Sequence, residues 1–163
     1  MNPALPTVET GWCTFQVADG LYGIEVARVH EVLRPQPLAR VPLAPSAVAG
    51  LLNLRGQIVP AVDLRALFEA PPRESRGGFV VVNGPEGLTA LVVDTIGDVR
   101  RLDVTLAPHE PGDGISCCAY TLALPDRLLT VLDVDRLLEL AFERPGREPF
   151  VRSRPAAWRL PGE

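Results

Sequence analysis

Three cysteines, two histidines and a scatter of carboxylates are the side chains that could do chemistry in this chain. Cys117 and Cys118 are adjacent, with His109 shortly upstream, and they form the one thiol-and-base constellation available. A nucleophilic thiol needs a base in contact and an electropositive setting. This pair instead lies in the apolar stretch Ile115–Tyr120, where cysteines ordinarily pack as small hydrophobes. Cys13, near the first apolar run, reads the same way. An odd cysteine count with no C-x-x-C fits neither a disulfide framework nor a zinc site. Asp133-x-Asp135 begins like a calcium loop but lacks its glycine and closing glutamate. Asp94, Asp98 and Asp103 read as the solvated side of a strand and its exit. All 16 basic residues are arginine, which excludes lysine Schiff bases and the phosphate-loop lysine. No catalytic residue, metal or cofactor is expected.

The elements that would position these residues are mostly strands. Phe15–Ala18, Asp19-Gly20 and Leu21–Val26 read as a hairpin, because Asp-Gly suits turn positions with positive φ. Phe79–Val82 followed by Asn83-Gly84 repeats the device. Arg55-Gly56-Gln57 and Pro125-Asp126-Arg127 each separate two aliphatic runs. Helices are few: Ala44–Leu51 reads as a turn or two, and Leu64–Glu69 and Val134–Phe142 follow Asp63 and Asp133, which suit N-caps.

The halves repeat. Phe15…Asp19-Gly20…Gly23 matches Phe79…Asn83-Gly84…Gly87 at an offset of 64. Val26, Val29, Glu31 and Val32 match Val93, Ile96, Asp98 and Val99 at 67, and Ile58, Val62, Asp63 and Phe68 match Leu128, Leu132, Asp133 and Leu138 at 70. About five strands in about 65 residues close best as a small barrel, which removes edges and creates a core. The expected division is a barrel over 13–70, a linker over 71–78 and a second barrel over 79–140, with shared apolar faces.

Composition narrows the partners. The net charge is −4, which disfavours nucleic acid. Arg144–Glu163 carries five Arg against two Glu and reads as a flexible Arg/Pro-rich tail on an acidic body. Free thiols, no basic-then-apolar leader and no long apolar run suggest a cytoplasmic chain. The stretch from Val41 to Phe68 is the densest in glycine, proline and aliphatic residues. Pro60 within it suggests an edge strand open to a partner, and Arg55 at a strand end has Glu31 as its best carboxylate.

Val29-His30-Glu31-Val32-Leu33, Val41-Pro42 with Ala44-Pro45, Gly50-Leu51-Leu52-Asn53-Leu54-Arg55-Gly56 and Ile58-Val59-Pro60-Ala61-Val62-Asp63-Leu64 resemble the CheW family of bacterial chemotaxis coupling proteins. Leu91-Val92-Val93-Asp94 and Leu132-Asp133-Val134-Asp135 resemble its second half, so the domain spans 12–143. The resemblance implies an all-β fold of two intertwined five-stranded SH3-like barrels sharing a core, with short helices. It implies a non-catalytic adaptor tying the regulatory domain of a CheA-type histidine kinase to the cytoplasmic tip of a chemoreceptor in membrane receptor arrays. A pathway for twitching motility or cyclic-dinucleotide output is the alternative, and a Cys/His thiol enzyme a distant one. Carried over by position, Cys13, Val26, Val29, Ile96 and Val99 face the receptor groove. Gly50, Asn53, Arg55 and Gly56 form the signature loop, with Glu31 paired to Arg55. His30 stands where the family often has Gln, and Ile115–Tyr120 with its cysteine pair departs from the usual strand.

Overall fold

The computed structural model describes residues 11–74, 77–101, 107–108 and 117–142. His109, Asp103, the 111–114 turn and the 144–163 tail lie outside these residues. Alternating apolar residues give β1 (Gly11–Val17), β2 (Gly20–Glu25), β3 (Val29–Leu33), β4 (Val48–Leu54) and β5 (Gln57–Asp63). After α1 (Leu64–Leu67) come β6 (Gly78–Gly84), β7 (Gly87–Val93), β8 (Thr95–Arg101), β9 (Ala107–Pro108), β10 (Cys118–Ala123) and β11 (Leu128–Leu132), then α2 (Val134–Ala141). One 3-10 turn, Val26–Arg28, joins β2 to β3. The helical turn expected over Ala44–Leu51 is absent: from Val48 the backbone pairs with β5 as strand β4.

The strands form two sheets. Sheet I runs β8-β1-β2-β11-β10-β9, and sheet II runs β3-β6-β7-β5-β4. Each curls into an SH3-like barrel. The contiguous division at 13–70 and 79–140 follows the repeat but not the sheets. Hairpin β1–β2 joins the later strands through β8 and a parallel ladder to β11. Hairpin β6–β7 joins the earlier strands through β3 and a parallel ladder to β5. The halves have exchanged hairpins, so the barrels are intertwined. The exchange lets both hairpins face a shared core of Phe15, Ile24, Val62, Val80, Leu91, Leu132 and Leu137. Each sheet also keeps a private core, around Trp12 and Leu129 in sheet I and around Val59 and Phe79 in sheet II. Phe15 and Phe79 are fully buried, each favouring folding by about 2–3 kcal/mol of transfer free energy.

Two turns sit away from their expected places. Val17 pairs with Gly20, so the first turn is Ala18-Asp19, with Ala18 at φ 52°. Gly20 is needed for another reason: a Cβ there would lie 2.6 Å from the Tyr22 ring. Gly84 pairs with Gly87, so the equivalent turn is Pro85-Glu86. A Cβ on Gly84 would meet Leu138 of α2 at 2.6 Å. Both hairpins therefore superpose at an offset of 67 rather than 64. Pro60 does not mark an edge either. β5 lies between β4 and β7, and Pro60 stands one residue before the parallel ladder to β7 begins at Ala61, so no bond to β7 is lost.

Both helices start at an aspartate cap. Asp63 accepts from Arg65 N at 2.9 Å, and Asp133 from Arg136 N at 3.1 Å. An ion pair then pins each helix to the body. Arg65 Nε meets Asp94 Oδ1 at 2.8 Å, with side chains only 18% and 9% exposed, so Asp94 is not on a solvated side. Burial pushes the Asp94 carboxyl up, but bonds from Arg65 and Ala18 N and the charges of Arg65 and Arg73 hold it below its usual value. At the equivalent place on α2 the polarity is reversed: Arg28 Nη2 reaches Asp135 Oδ1 at 2.6 Å in a more exposed setting.

Candidate functional site

The signature loop is built by the β4–β5 hairpin. Leu54 pairs with Gln57, so Arg55 and Gly56 fill a two-residue turn with φ of 50° and 86°. Positive φ at both positions marks a primed turn, whose twist suits the strands. Asn53 Oδ1 accepts from Gly56 N at 2.9 Å and ties the turn to β4. Gly50 has φ 156°, and a Cβ there would lie 2.5 Å from Ala39 O. It is glycine because residue 39 crosses β4 at this point, bonded both ways to Leu51.

The turn carries Arg55 to Glu31 of β3, and the two side chains hydrogen-bond through Nη2 and Oε1. His30 Nε2 lies 3.5 Å from the same oxygen. Arg55 is 70% exposed and Glu31 23%, so one end of the pair is anchored and the other faces solvent. Such a pair adds little to stability. Its guanidinium still has donors for an incoming acceptor.

Next to β3 runs an apolar seam. Val26 and Val99, 40% and 61% exposed, converge on Gly11: a Cβ there would lie 3.2 Å from one and 3.7 Å from the other. Val29 and Ile96 lie behind them, half-buried against the shared core. The seam thus joins the ends of sheet II (β3) and sheet I (β8), where the two sheets meet. Cys13 is not on this surface. β1 is an interior strand whose alternate residues Cys13, Phe15 and Val17 turn into the shared core, leaving Cys13 3% exposed. Val32 is the residue the sequence reading passed over. It is 42% exposed on β3 and equivalent to Val99 at the offset of 67, which is the signal that could have found it.

The described surroundings of the three thiols disfavour the thiolate. Burial pushes Cys117 up to about 12 and raises Cys118 and Cys13 as well, so thiolate is scarce at neutral pH. Cys117 O accepts from Asp133 N, and Cys118 Sγ lies 3.5 Å from Tyr120 O. Among the described residues, no cluster of His, Cys, Asp and Glu is placed to hold a metal.

Another opening lies on sheet II. It is a cleft of about 560 Å³ between the start of β5, the β6–β7 turn and α2. Ile58, Pro60, Leu88, Leu138 and Phe142 line it.

Two intertwined barrels, an apolar seam where they meet and an ion-paired loop beside β3 define an interaction module of the signalling-scaffold class. The model of the CheW-like domain matches residues 12–142, and this chain belongs to that family. It is similar to the chemotaxis protein CheW of Treponema pallidum, 34% identical over 76% of this chain and 79% of that one. It is also similar to CheW of Klebsiella aerogenes, 28% identical over 81% and 83%. Among solved structures, the scaffolding protein TtCheW of Thermoanaerobacter tengcongensis superposes with a TM-score of 0.75. It is 25% identical, over 86% of this chain and 97% of that one. The chain is a chemotaxis coupling adaptor.

Proposed function

We propose that this adaptor is non-catalytic and binds two partners, the cytoplasmic tip of a chemoreceptor and the regulatory domain of a CheA-type histidine kinase. The convergence of Val26 and Val99 on Gly11 carries this reading. An apolar strip flanked by half-buried Val29 and Ile96 suits the aliphatic face of a receptor helix. Glu31 and Arg55, framed by Gly50, Asn53 and Gly56, set the register of that helix through charge and hydrogen bonding. No described helix is long and apolar enough to cross a membrane. In this reading the adaptor joins the receptor arrays through its two partners. Calorimetry with a receptor-tip fragment and with the kinase regulatory domain tests this. Binding to both is expected, and Val99→Asp abolishes the first while sparing the second. Failure to bind either partner would overturn the reading.

A further inference from the structure

Val26–Arg28, the turn between β2 and β3, carries Val26 into the seam and leads straight into Val29. None of its three residues is buried, and its N-cap residue Glu25 makes no side-chain cap bond. Among the described residues, the side-chain hydrogen bonds that tie this turn to the rest of the molecule all come from Arg28. Arg28 Nε and Nη2 donate to Asn83 O at 3.2 and 2.7 Å, and Nη2 also donates to Asp135 Oδ1 at 2.6 Å. One guanidinium thus joins the β2–β3 turn to the end of β6 and to the first turn of α2, which lie 55 and 107 residues further along the chain. Its planar fork suits two acceptors at once.

The bridge is poorly placed to serve stability. Its equivalent, Arg65–Asp94, is enclosed, with side chains 18% and 9% exposed, and ties α1 to the connection between β7 and β8. Arg28 and Asp135 are 31% and 54% exposed, and an ion pair in that setting adds little to folding. What the bridge fixes is the place of Val26. Val26 and Val99 are the two walls over Gly11, so a loose turn would leave the seam with one wall unset. We propose that Arg28 is the positioning residue of the seam. It holds Val26 and Val29 at the spacing that a receptor helix meets, while its own guanidinium is engaged with Asn83 and Asp135. A turn already set lowers the ordering cost of binding. The proposal rests on the reading of the seam as the receptor site.

Calorimetry with a receptor-tip fragment, run beside thermal melts of the full chain, tests this. Arg28→Ala should weaken binding about tenfold and Asp135→Ala about threefold, with melting midpoints at the parent value. The double variant should lose no more than Arg28→Ala alone, because both act through one bridge. Arg28→Lys keeps the charge but not the fork and should fall between the parent and Arg28→Ala. Arg136→Ala removes the neighbouring exposed pair with Glu139 and should leave the affinity unchanged. The two single variants remove opposite charges, so affinity changes of opposite sign would reveal a long-range charge effect and overturn the proposal. Unchanged affinity overturns it too, as does a loss that tracks a fall in melting midpoint. If Arg28→Ala does not fold, Asp135→Ala, at an exposed carboxylate, decides. Backbone NMR order parameters of Val26–Arg28 give a readout that needs no receptor. They should fall in Asp135→Ala and Arg28→Ala and hold in Arg136→Ala, and values equal to the parent in the first two overturn the proposal. A parent that binds no fragment while the order parameters behave as expected defeats the receptor reading and supports the bridge.

Discussion

Five strands of sheet I answer to the five of sheet II, yet three equivalent places differ in chemistry. Arg55-Gly56 of sheet II answers to Pro125-Asp126 of sheet I. The enclosed Arg65–Asp94 pair answers to the open, polarity-reversed Asp135–Arg28 pair. The Tyr22–Phe68 contact answers to the Thr89–Leu138 cleft. A repeated fold thus keeps its ladders and caps at both copies, because each barrel needs them. The surface between copies is released, so one hairpin tip carries the ion-paired Arg55 and the other a proline-containing loop. The comparison separates positions that hold the fold from positions that face partners.

The largest expected effect is at the closed aromatic site. Tyr22→Thr makes sheet I resemble sheet II and removes a buried ring, 8% exposed. It should cost about 3 kcal/mol and lower the melting midpoint by roughly 8 °C. Thr89→Ser at the open site should change it little. Equal losses would show that the two sites are not different in kind.

Next comes the enclosed ion pair. Asp94→Asn removes the charge opposite Arg65 and leaves one acceptor oxygen where two serve Arg65 and Ala18 N, costing about 2 kcal/mol in denaturant unfolding. Asp135→Asn, at the exposed pair, should leave the unfolding midpoint unchanged. The Asp94 pair also has a pH signature. Its folded pKa is depressed, so its contribution is complete above the unfolded carboxylate value of about 3.9 and vanishes as pH falls through the lower folded value. The gap between parent and Asp94→Asn should therefore close on acidification below about pH 4. A gap that persists at pH 2 would contradict the ion-pair account.

Smaller still is the hairpin-tip effect. Arg55→Ala should weaken receptor-fragment binding about tenfold, or ~1.4 kcal/mol, without shifting the melting curve, since Arg55 is largely exposed. Pro125→Ala, at the equivalent turn, should leave that affinity alone. Loss at both turns would mean that both sheets take part. The smallest effect is in thiol reactivity: Cys118 should react with a neutral-pH thiol reagent before Cys117, which burial pushes up to about 12. Faster reaction at Cys117 would refute the burial argument.

Much of this was legible before any coordinates. The repeat, the hairpins and the aspartate caps follow from local pattern, because period-2 alternation, capping and turn chemistry act over a few residues; the Glu31–Arg55 pairing, 24 residues apart, was expected from the arginine's need for a carboxylate and from the resemblance. The phase of the turns was not legible. Gly20 and Gly84 resemble turn residues, but they are glycines because the Tyr22 ring folds back on the one and Leu138 of α2 presses on the other. Cys13 reads from its residue type as a packed small hydrophobe and only the resemblance placed it in the groove; the interior position of β1 decides for the core.

By itself the sequence determined a duplicated set of strands, two capped helices, an arginine at one hairpin tip and a chain with little equipment for catalysis. Only the tertiary structure decided that the hairpins change places. Each hairpin is complete in its own hydrogen bonds, so nothing local states which sheet it joins; the parallel ladders β2–β11 and β5–β7 and the shared core make that choice. From the exchange follow the seam at Val26 and Val99 and the difference between a closed aromatic site and an open cleft. Both depend on residues far apart in sequence meeting across two sheets.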